Sequence, residues 1–569
     1  MKLFLILMFC QLQILWSKMD RTWWKYTTMY EVNLPSFKDG NGDGTGDLKG
    51  LISKLDHFVD IGVETVYISP HYESPMYDSG YDVTNYTSIN PSMGTIEDFE
   101  TLVKEMNSKG LKLIIDIILN HCSDEHPWFI KSVNKEDPYT NFFVWKEPKG
   151  YDAKGSPLPP NNWLNVFGGS AWSWNNQRNQ FYYHQFSPKQ PDYNLRNKAV
   201  ETEIKKILAY WLNKGVAGFR LDAVPQLLED ALFRDEPVAS PDIKVPFKYL
   251  DLIHIYTKDH PDTYTFLSKL RRFVNRFAKK WTDFERVLIV EGYSKLEKLI
   301  EYYGTEKHKI IHVPLNLHPA RVVNHENASF YHNIITDYLN RLPEWATPSW
   351  NIENHDTFRK SYVLHEEFEF IGALLVMMLP GFAYIYYGQE IGATGSKIRS
   401  DQILNKIDDF FTQGKRDFSK LPMAWDDSLN AGFSTNRDLY LPVSPNYWRI
   451  NVEDQKNDEN SYYHMFKKMS NLRKTNIFKY GDFKSYVLST WVYAFVRTFR
   501  NESYIVIFNF GSESEFIDLH NAIDNLPEFS TIEIASPNSG YKVGDVMPTK
   551  QRIPKILILR PSAALVLKT

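Results

Sequence analysis

A chain of 569 residues is too long for one ordinary hydrophobic core, so two or three domains are expected. Hydrophobic residues at 43% and charged residues at 24% describe a soluble globular protein and exclude long disordered stretches. A net charge of -4 gives no electrostatic basis for binding nucleic acid or an anionic membrane.

The N-terminus opens with Lys2 and a mostly apolar run from Leu3 to Trp16. About 14 residues fall short of the roughly 17–25 that span a bilayer, so a secretory signal over 1–17 and an extracellular protein are expected. An uncleaved anchor is the alternative, since no clean small-x-small cleavage site is present. Cys10 falls inside this segment, so the mature chain keeps Cys122 alone and has no internal disulfide. Asn85-Tyr86-Thr87, Asn327-Ala328-Ser329 and Asn501-Glu502-Ser503 are glycosylation acceptors, which makes Asn85, Asn327 and Asn501 the expected glycan sites.

Next comes Asp39-Gly40-Asn41-Gly42-Asp43-Gly44-Thr45-Gly46-Asp47, which spaces oxygen ligands two apart. Calcium wants six to eight oxygens, and glycines let a short loop wrap it. It is not an EF-hand, because position twelve is Gly50. A metal-free turn is the alternative. A helix carrying Leu48, Leu51, Ile52 and Leu55 follows.

Short apolar runs then alternate with amphipathic stretches. Val63–Ile68, Leu111–Leu119, Val216–Leu221, Val287–Val290, Ile310–Val313, Trp350–Ile352 and Ala383–Tyr386 read as buried strands. Ile96–Met106, Val200–Leu212 and Phe368–Leu379 read as helices. The repeat predicts a parallel (β/α)8 TIM barrel. A doubly wound sheet competes, but there are too many units and no glycine-rich nucleotide turn. About 75 residues separate His121 from Asn197, too many for a loop, so they predict a small domain inserted after the third strand. Short strands from about Tyr486 predict a C-terminal antiparallel β-sandwich. The partition is 18–121 and 195–485 for the barrel, 122–194 for the insert and 486–569 for the C-terminal domain.

Four expected strands end in acids: Asp116, Asp222, Glu291 and Asp356. One acid at a strand end is commonly a cap or an ion pair. Several at equivalent barrel positions repel, a cost tolerated where chemistry needs one protonated and one ionised acid.

With these motifs the chain resembles the α-amylase superfamily, glycoside hydrolase family 13, and within it the insect-type maltases and sucrases. Asp116–His121, Gly218–Asp222, Glu291 and Asn354–Asp356 stand in the family's order. Gln190-Pro191-Asp192-Tyr193-Asn194 looks like the marker of its oligosaccharide-cleaving branch, and Tyr386–Gly392 matches the last strand and loop. The resemblance implies a retaining α-glucosidase acting on maltose, sucrose and short oligosaccharides. Asp222 is then the nucleophile, Glu291 the acid/base and Asp356 a third carboxylate gripping hydroxyls. Arg220 should keep Asp222 ionised, and His121 and His355 should bind the glucose. Tyr81 should stack on the ring, Asp82 should pair with Arg416 to close the pocket, and Phe186 and Gln190 should wall it. The calcium loop would add the Thr45 carbonyl. In the family it resembles, a bulkier valine at the position of Ala223 goes with α-1,6 preference and a smaller residue with α-1,4 bonds and sucrose, so the resemblance implies the latter.

There are departures. Glu353 replaces a usual glycine and is expected to perturb Asp356 or to line the leaving-group site. Gly292 stands for alanine, Lys420 for a second arginine and Tyr193 for leucine. Alternatives are an endo-acting amylase, a sucrose-using transglucosidase with the same catalytic residues, and a non-catalytic membrane-anchored relative such as a transporter heavy chain or receptor.

Overall fold

The computed structural model describes residues 20–281, 284–404, 416–524, 526–549 and 556–569. The expected signal over 1–17 lies outside them. Among the described residues, no helix is long and apolar enough to cross a membrane.

Eight parallel strands form the centre: β1 (Thr28–Val32), β2 (Thr65–Ile68), β3 (Lys112–Ile118), β4 (Gly218–Asp222), β5 (Val287–Val290), β6 (Val313–Pro314), β7 (Ser349–Trp350) and β8 (Phe382–Tyr386). Their order runs β6-β5-β4-β3-β2-β1-β8-β7. Unbroken apolar runs such as Val-Leu-Ile-Val suit strands covered on both faces. Met29, Tyr67, Ile114, Val287, Ile289 and Val313 pack in one cluster inside the barrel. Alternate residues, Val66, Ile115, Phe219 and Leu221 among them, join the large cluster shared with the outer helices. The seam between β6 and β7 is bridged by a side chain. Ser349 donates its hydroxyl to the Pro314 carbonyl at 2.6 Å and accepts from the Asn316 amide at 2.9 Å. The barrel is therefore nearly closed. At this seam the expected runs shorten, and Ile310–Val313 gives only Val313 to its strand.

The helices start where the sequence supplies caps. Ile96–Ser108 opens at Thr95, which exchanges side-chain and backbone bonds with Asp98, and buries Phe99, Leu102, Val103 and Met106. Lys198–Asn213 opens at Asn197 and buries Val200, Ile204, Leu208 and Trp211.

The insert carries an antiparallel sheet of Trp145–Lys146, Gln180–Tyr183 and Trp172–Asn175. Trp163, Trp172, Phe181 and Tyr183 form its core, and Phe233, from the connection after β4, packs onto it. A bridge between His121 and Asp192 ties its end to the end of β3. In the C-terminal domain a six-stranded antiparallel sheet begins at Asp482, ahead of the switch expected near Tyr486. A two-stranded sheet, Glu515–Ile517 with Leu557–Leu559, shares its core. Buried Arg497 joins the domains by donating to the carbonyls of Met378, Phe478 and Gly481.

Candidate active site

The carboxyls meet at the C-terminal end of the barrel because register puts them there. Arg220 on β4 lies beside Asp116 on β3 and Ile289 on β5. Asp222, two residues on, leaves the same face of β4. Arg220 is 1% exposed. Its Nη1 donates to both Asp116 oxygens at 3.0 Å and to Asp222 Oδ1 at 2.5 Å. Its Nη2 lies 3.5 Å from Glu291 Oε2. One guanidinium therefore ties three acids together. The Tyr67 and Tyr81 hydroxyls donate to Asp116 Oδ2 at 2.7 and 3.0 Å. On the other side, His355 Nδ1 pairs with buried Glu31 of β1, and Nε2 lies 2.8 Å from the Tyr81 hydroxyl and 3.5 Å from Asp356 Oδ2.

These contacts divide the acids. Burial opposes the charge on Asp356, but His355, Arg416 and Lys420 outweigh it and hold its carboxyl below the usual range. Burial pushes Asp222 up to about 8 against the pull of Arg220, with Asp116, Glu291 and Asp356 adding to the rise. It also pushes Glu291 up against Arg220. Arg220 opposes this rise at Asp222, and burial among carboxyls is the larger effect. The guanidinium touches Asp222 at 2.5 Å and Glu291 only at 3.5 Å, so it favours a charge on Asp222 more than one on Glu291.

A cavity of about 430 Å³ opens here, within the range of small-molecule sites. Of the expected residues, Asp222, Glu291, Asp356, Tyr81, His121, Phe186 and Arg416 line it. Arg220, His355 and Gln190 stand behind that wall. Gln190 is fully buried and donates to Asp78 Oδ2 at 3.1 Å. Burial pushes His121 down to about 4, so its ring is neutral at ordinary pH.

Asp82 is a correction. Its carboxylate accepts from Ser74 Oγ at 3.0 Å and from the amides of Tyr77 at 2.9 Å and Asp78 at 3.1 Å, which turns it away from the cavity. Asp78 takes the place intended for it. Arg416 reaches Asp78 Oδ1 at 3.3 Å and Asp356 Oδ1 at 3.0 Å, closing one end of the cavity. Nothing in the order of two aspartates four residues apart says which one faces inward. Glu353 is a second correction. It accepts from the Lys360 amide and lies 3.5 Å from Arg359, so it neither lines the cavity nor contacts Asp356. Lining residues beyond the expected set include Gln226, Tyr249, Lys258, Tyr293, Arg321 and Phe358.

The Asp39–Asp47 loop holds itself together. Asp39 accepts from the amides of Asn41, Gly42 and Gly44 and from Ser434 Oγ, while Asp47 accepts from Gly40, Asn41 and Gly50. Among the described residues no three His, Cys, Asp or Glu side chains gather as a metal cage. Asn41 Oδ1 and both Asp43 oxygens also accept one bond each, all from within the loop. Asn85, Asn327 and Asn501 are all exposed.

With this geometry in view, the relatives are informative. The family described as "Alpha amylase, catalytic domain" matches residues 32–481. An alpha-glucosidase of Culex pipiens is 38% identical, covering 92% of this chain and 88% of its own. One of Apis mellifera is 37% identical, covering 90% of each. A human amino acid transporter heavy chain, SLC3A1, is 35% identical over 92% of this chain and 76% of its own. Among solved structures, an alpha-glucosyl transfer enzyme, XgtA, superposes with a TM-score of 0.82 at 27% identity, covering 96% of this chain and 99% of that one. An isomaltulose synthase mutant of Erwinia rhapontici bound to sucrose has a TM-score of 0.81 at 28% identity, covering 96% and 99%. The barrel, the acids at its C-terminal end and the match over most of its length show that this chain belongs to the α-amylase family.

Proposed function

We propose that this protein is a retaining, exo-acting α-glucosidase that releases glucose from maltose, sucrose and short α-glucosides. The observation that carries the reading is the Arg220 guanidinium shared between Asp222 and Glu291 at one end of a cavity. Asp222 attacks the anomeric carbon and the glycosidic C–O bond breaks. Glu291 gives its proton to the departing oxygen and then takes one from the incoming water, which displaces Asp222 with a second inversion. Asp356, held anionic by His355 and Arg416, accepts from sugar hydroxyls as the ring flattens. The Asp78–Arg416–Asp356 bridge closes the glucose end, which favours single-unit release over cleavage within a chain.

The discriminating experiment is NMR of the first product. α-Glucose should appear before mutarotation, and β-glucose would exclude double displacement. Asp222→Asn should lose at least about 10⁴-fold in kcat. Glu291→Gln should lose about 10²–10⁴-fold on alkyl glucosides and far less on activated aryl glucosides. Transfer of glucose to a second sugar is the alternative outcome, favoured by the likeness to the alpha-glucosyl transfer enzyme. Oligosaccharides or sucrose isomers from concentrated sucrose would identify it.

Secretion through the 1–17 segment, glycans on the three acceptor asparagines and a structural calcium ion in the Asp39–Asp47 loop complete the proposal. The ion would brace the loop and take no part in the chemistry.

A further inference from the structure

The turn that carries Asn354, His355 and Asp356 is held at its base by acids that do not reach the cavity. It leaves β7 after Trp350 and enters a short helix at Lys360. Glu353, 1% exposed, stands before the three residues, and its Oε1 accepts from the amide of Lys360, which stands after them. One side chain therefore closes the turn on itself. Glu353 Oε2 lies 3.5 Å from Arg359 Nη1, and Asn351 Nδ2 donates to the Glu353 carbonyl at 2.5 Å. A glycine at 353, usual in the family, has no side chain with which to build this closure.

A second buried acid meets the first. Glu369, in the helix Glu367–Met378, is 0% exposed. Its Oε1 accepts from the Ser361 amide at 2.7 Å, and among the described residues none donates to its buried Oε2. Its carboxyl hydrogen-bonds that of Glu353. Such a bond needs a proton on one of the two, because carboxylates in contact only repel.

The surroundings match one charge. Arg359 faces Glu353 and lies over the Tyr386 ring, 4.2 Å from its centroid. The Lys360 ammonium is engaged elsewhere, donating to the carbonyls of Ala320 at 2.8 Å and Val322 at 2.6 Å. Arg359 and the Lys360 amide thus favour the charge on Glu353. Burial, and then Glu353 itself, push the Glu369 carboxyl well above the usual range.

We propose that Glu353 and Glu369 are positioning residues for the reaction: a proton shared between their carboxyls clamps the base of the turn and sets His355 and Asp356 at the cavity. This rests on the α-glucosidase reading. The path from clamp to site is short, since Asp356 lies between Glu353 and Lys360 on the turn they close. Slack at the base displaces the Asp356 carboxylate, which holds Arg416 at 3.0 Å and faces the sugar hydroxyls. A displacement of about 1 Å can cost about 10²-fold in rate.

The test is glucose release from maltose by the full chain, per mole of folded protein, for the wild type, Glu369→Met and Glu369→Gln. The Met side chain is of similar length but leaves the Ser361 amide and the Glu353 carboxylate without a partner. Its kcat should fall about tenfold or more, with KM changed less. The Gln side chain accepts from Ser361 and donates an N–H to Glu353, in place of the shared proton. Its kcat should return to within about threefold of the wild type. Equal kcat in the Met and Gln variants would overturn the inference and leave the α-glucosidase reading standing. No glucose from the wild type would overturn both. Infrared spectra need only the Gln variant: at neutral pH the wild type should show a protonated-carboxyl C=O band that Glu369→Gln lacks. Loss of no such band would overturn the shared proton, whether or not the Met variant folds.

Discussion

At residue scale, Glu291, the proposed acid/base, is placed by contacts around a glycine. Gly292 follows Glu291, and a Cβ built there would sit 2.6 Å from Pro225 Cγ, in the turn just after Asp222, the proposed nucleophile. Pro225 fills the space that a side chain at 292 would take, and the segments after Asp222 and Glu291 meet through that contact. The Val224 amide also donates to the Glu291 carbonyl at 3.4 Å. Gly292→Ala should therefore push Glu291 away from Asp222 and lower kcat about tenfold or more with little change in KM. Adding Pro225→Ala should restore much of the loss, a rescue that a purely local effect at 292 would not give. The strand-end acids were legible one by one in the sequence. That Asp78 and not Asp82 reaches Arg416 was not, because the choice depends on which carboxylate the local amides of Tyr77 and Asp78 capture.

At element scale, the barrel seam and the acidic loop carry opposite expectations. β6 and β7 rely on one hydroxyl where other pairs have a ladder. Ser349→Ala leaves the Pro314 carbonyl and the Asn316 amide buried without a partner, which costs about 1–3 kcal/mol. Urea melts should show that loss without a change in slope. Chelation tests the loop over Asp39–Asp47. If calcium occupies it, EDTA should lower the Tm by a few °C and added calcium should restore it, as binding to the native state requires. No response would leave the loop's own hydrogen bonds as its support. The strands over Val287–Val290 and the helix from Ile96 read clearly because burial on both faces and a capping box leave direct marks. The helices Pro261–Trp281 and Ala328–Arg341 were not among those expected.

For the whole molecule, the site sets a pH dependence of stability. Asp356 is depressed in the fold, so its contribution is present above its unfolded value near about 3.9 and is lost as pH falls through the folded value. Asp222 and Glu291 are raised by burial against Arg220, so their contribution is full below their unfolded values near about 4 and is lost as pH rises toward the folded value, about 8 for Asp222. The Tm should therefore be higher at about pH 5 than at about pH 8. Asp222→Asn should raise the Tm at pH 8 by a few °C and shrink that difference, even as turnover is lost. A Tm that falls in this variant, or a flat pH profile, would count against charge burial at the site.

The sequence by itself determined the barrel, the long insertion and the acids at the strand ends. Each is written in local signals: apolar period, caps, excess length between elements, and acidic residues closing apolar runs. Only the tertiary structure decided how those acids share one guanidinium and which aspartate closes the pocket. It also decided that Gln190, Arg220 and His355 stand behind the cavity wall and not in it. Those features depend on distances between residues far apart in the chain, and hydrogen bonding and burial settle such distances only once the strands are in register.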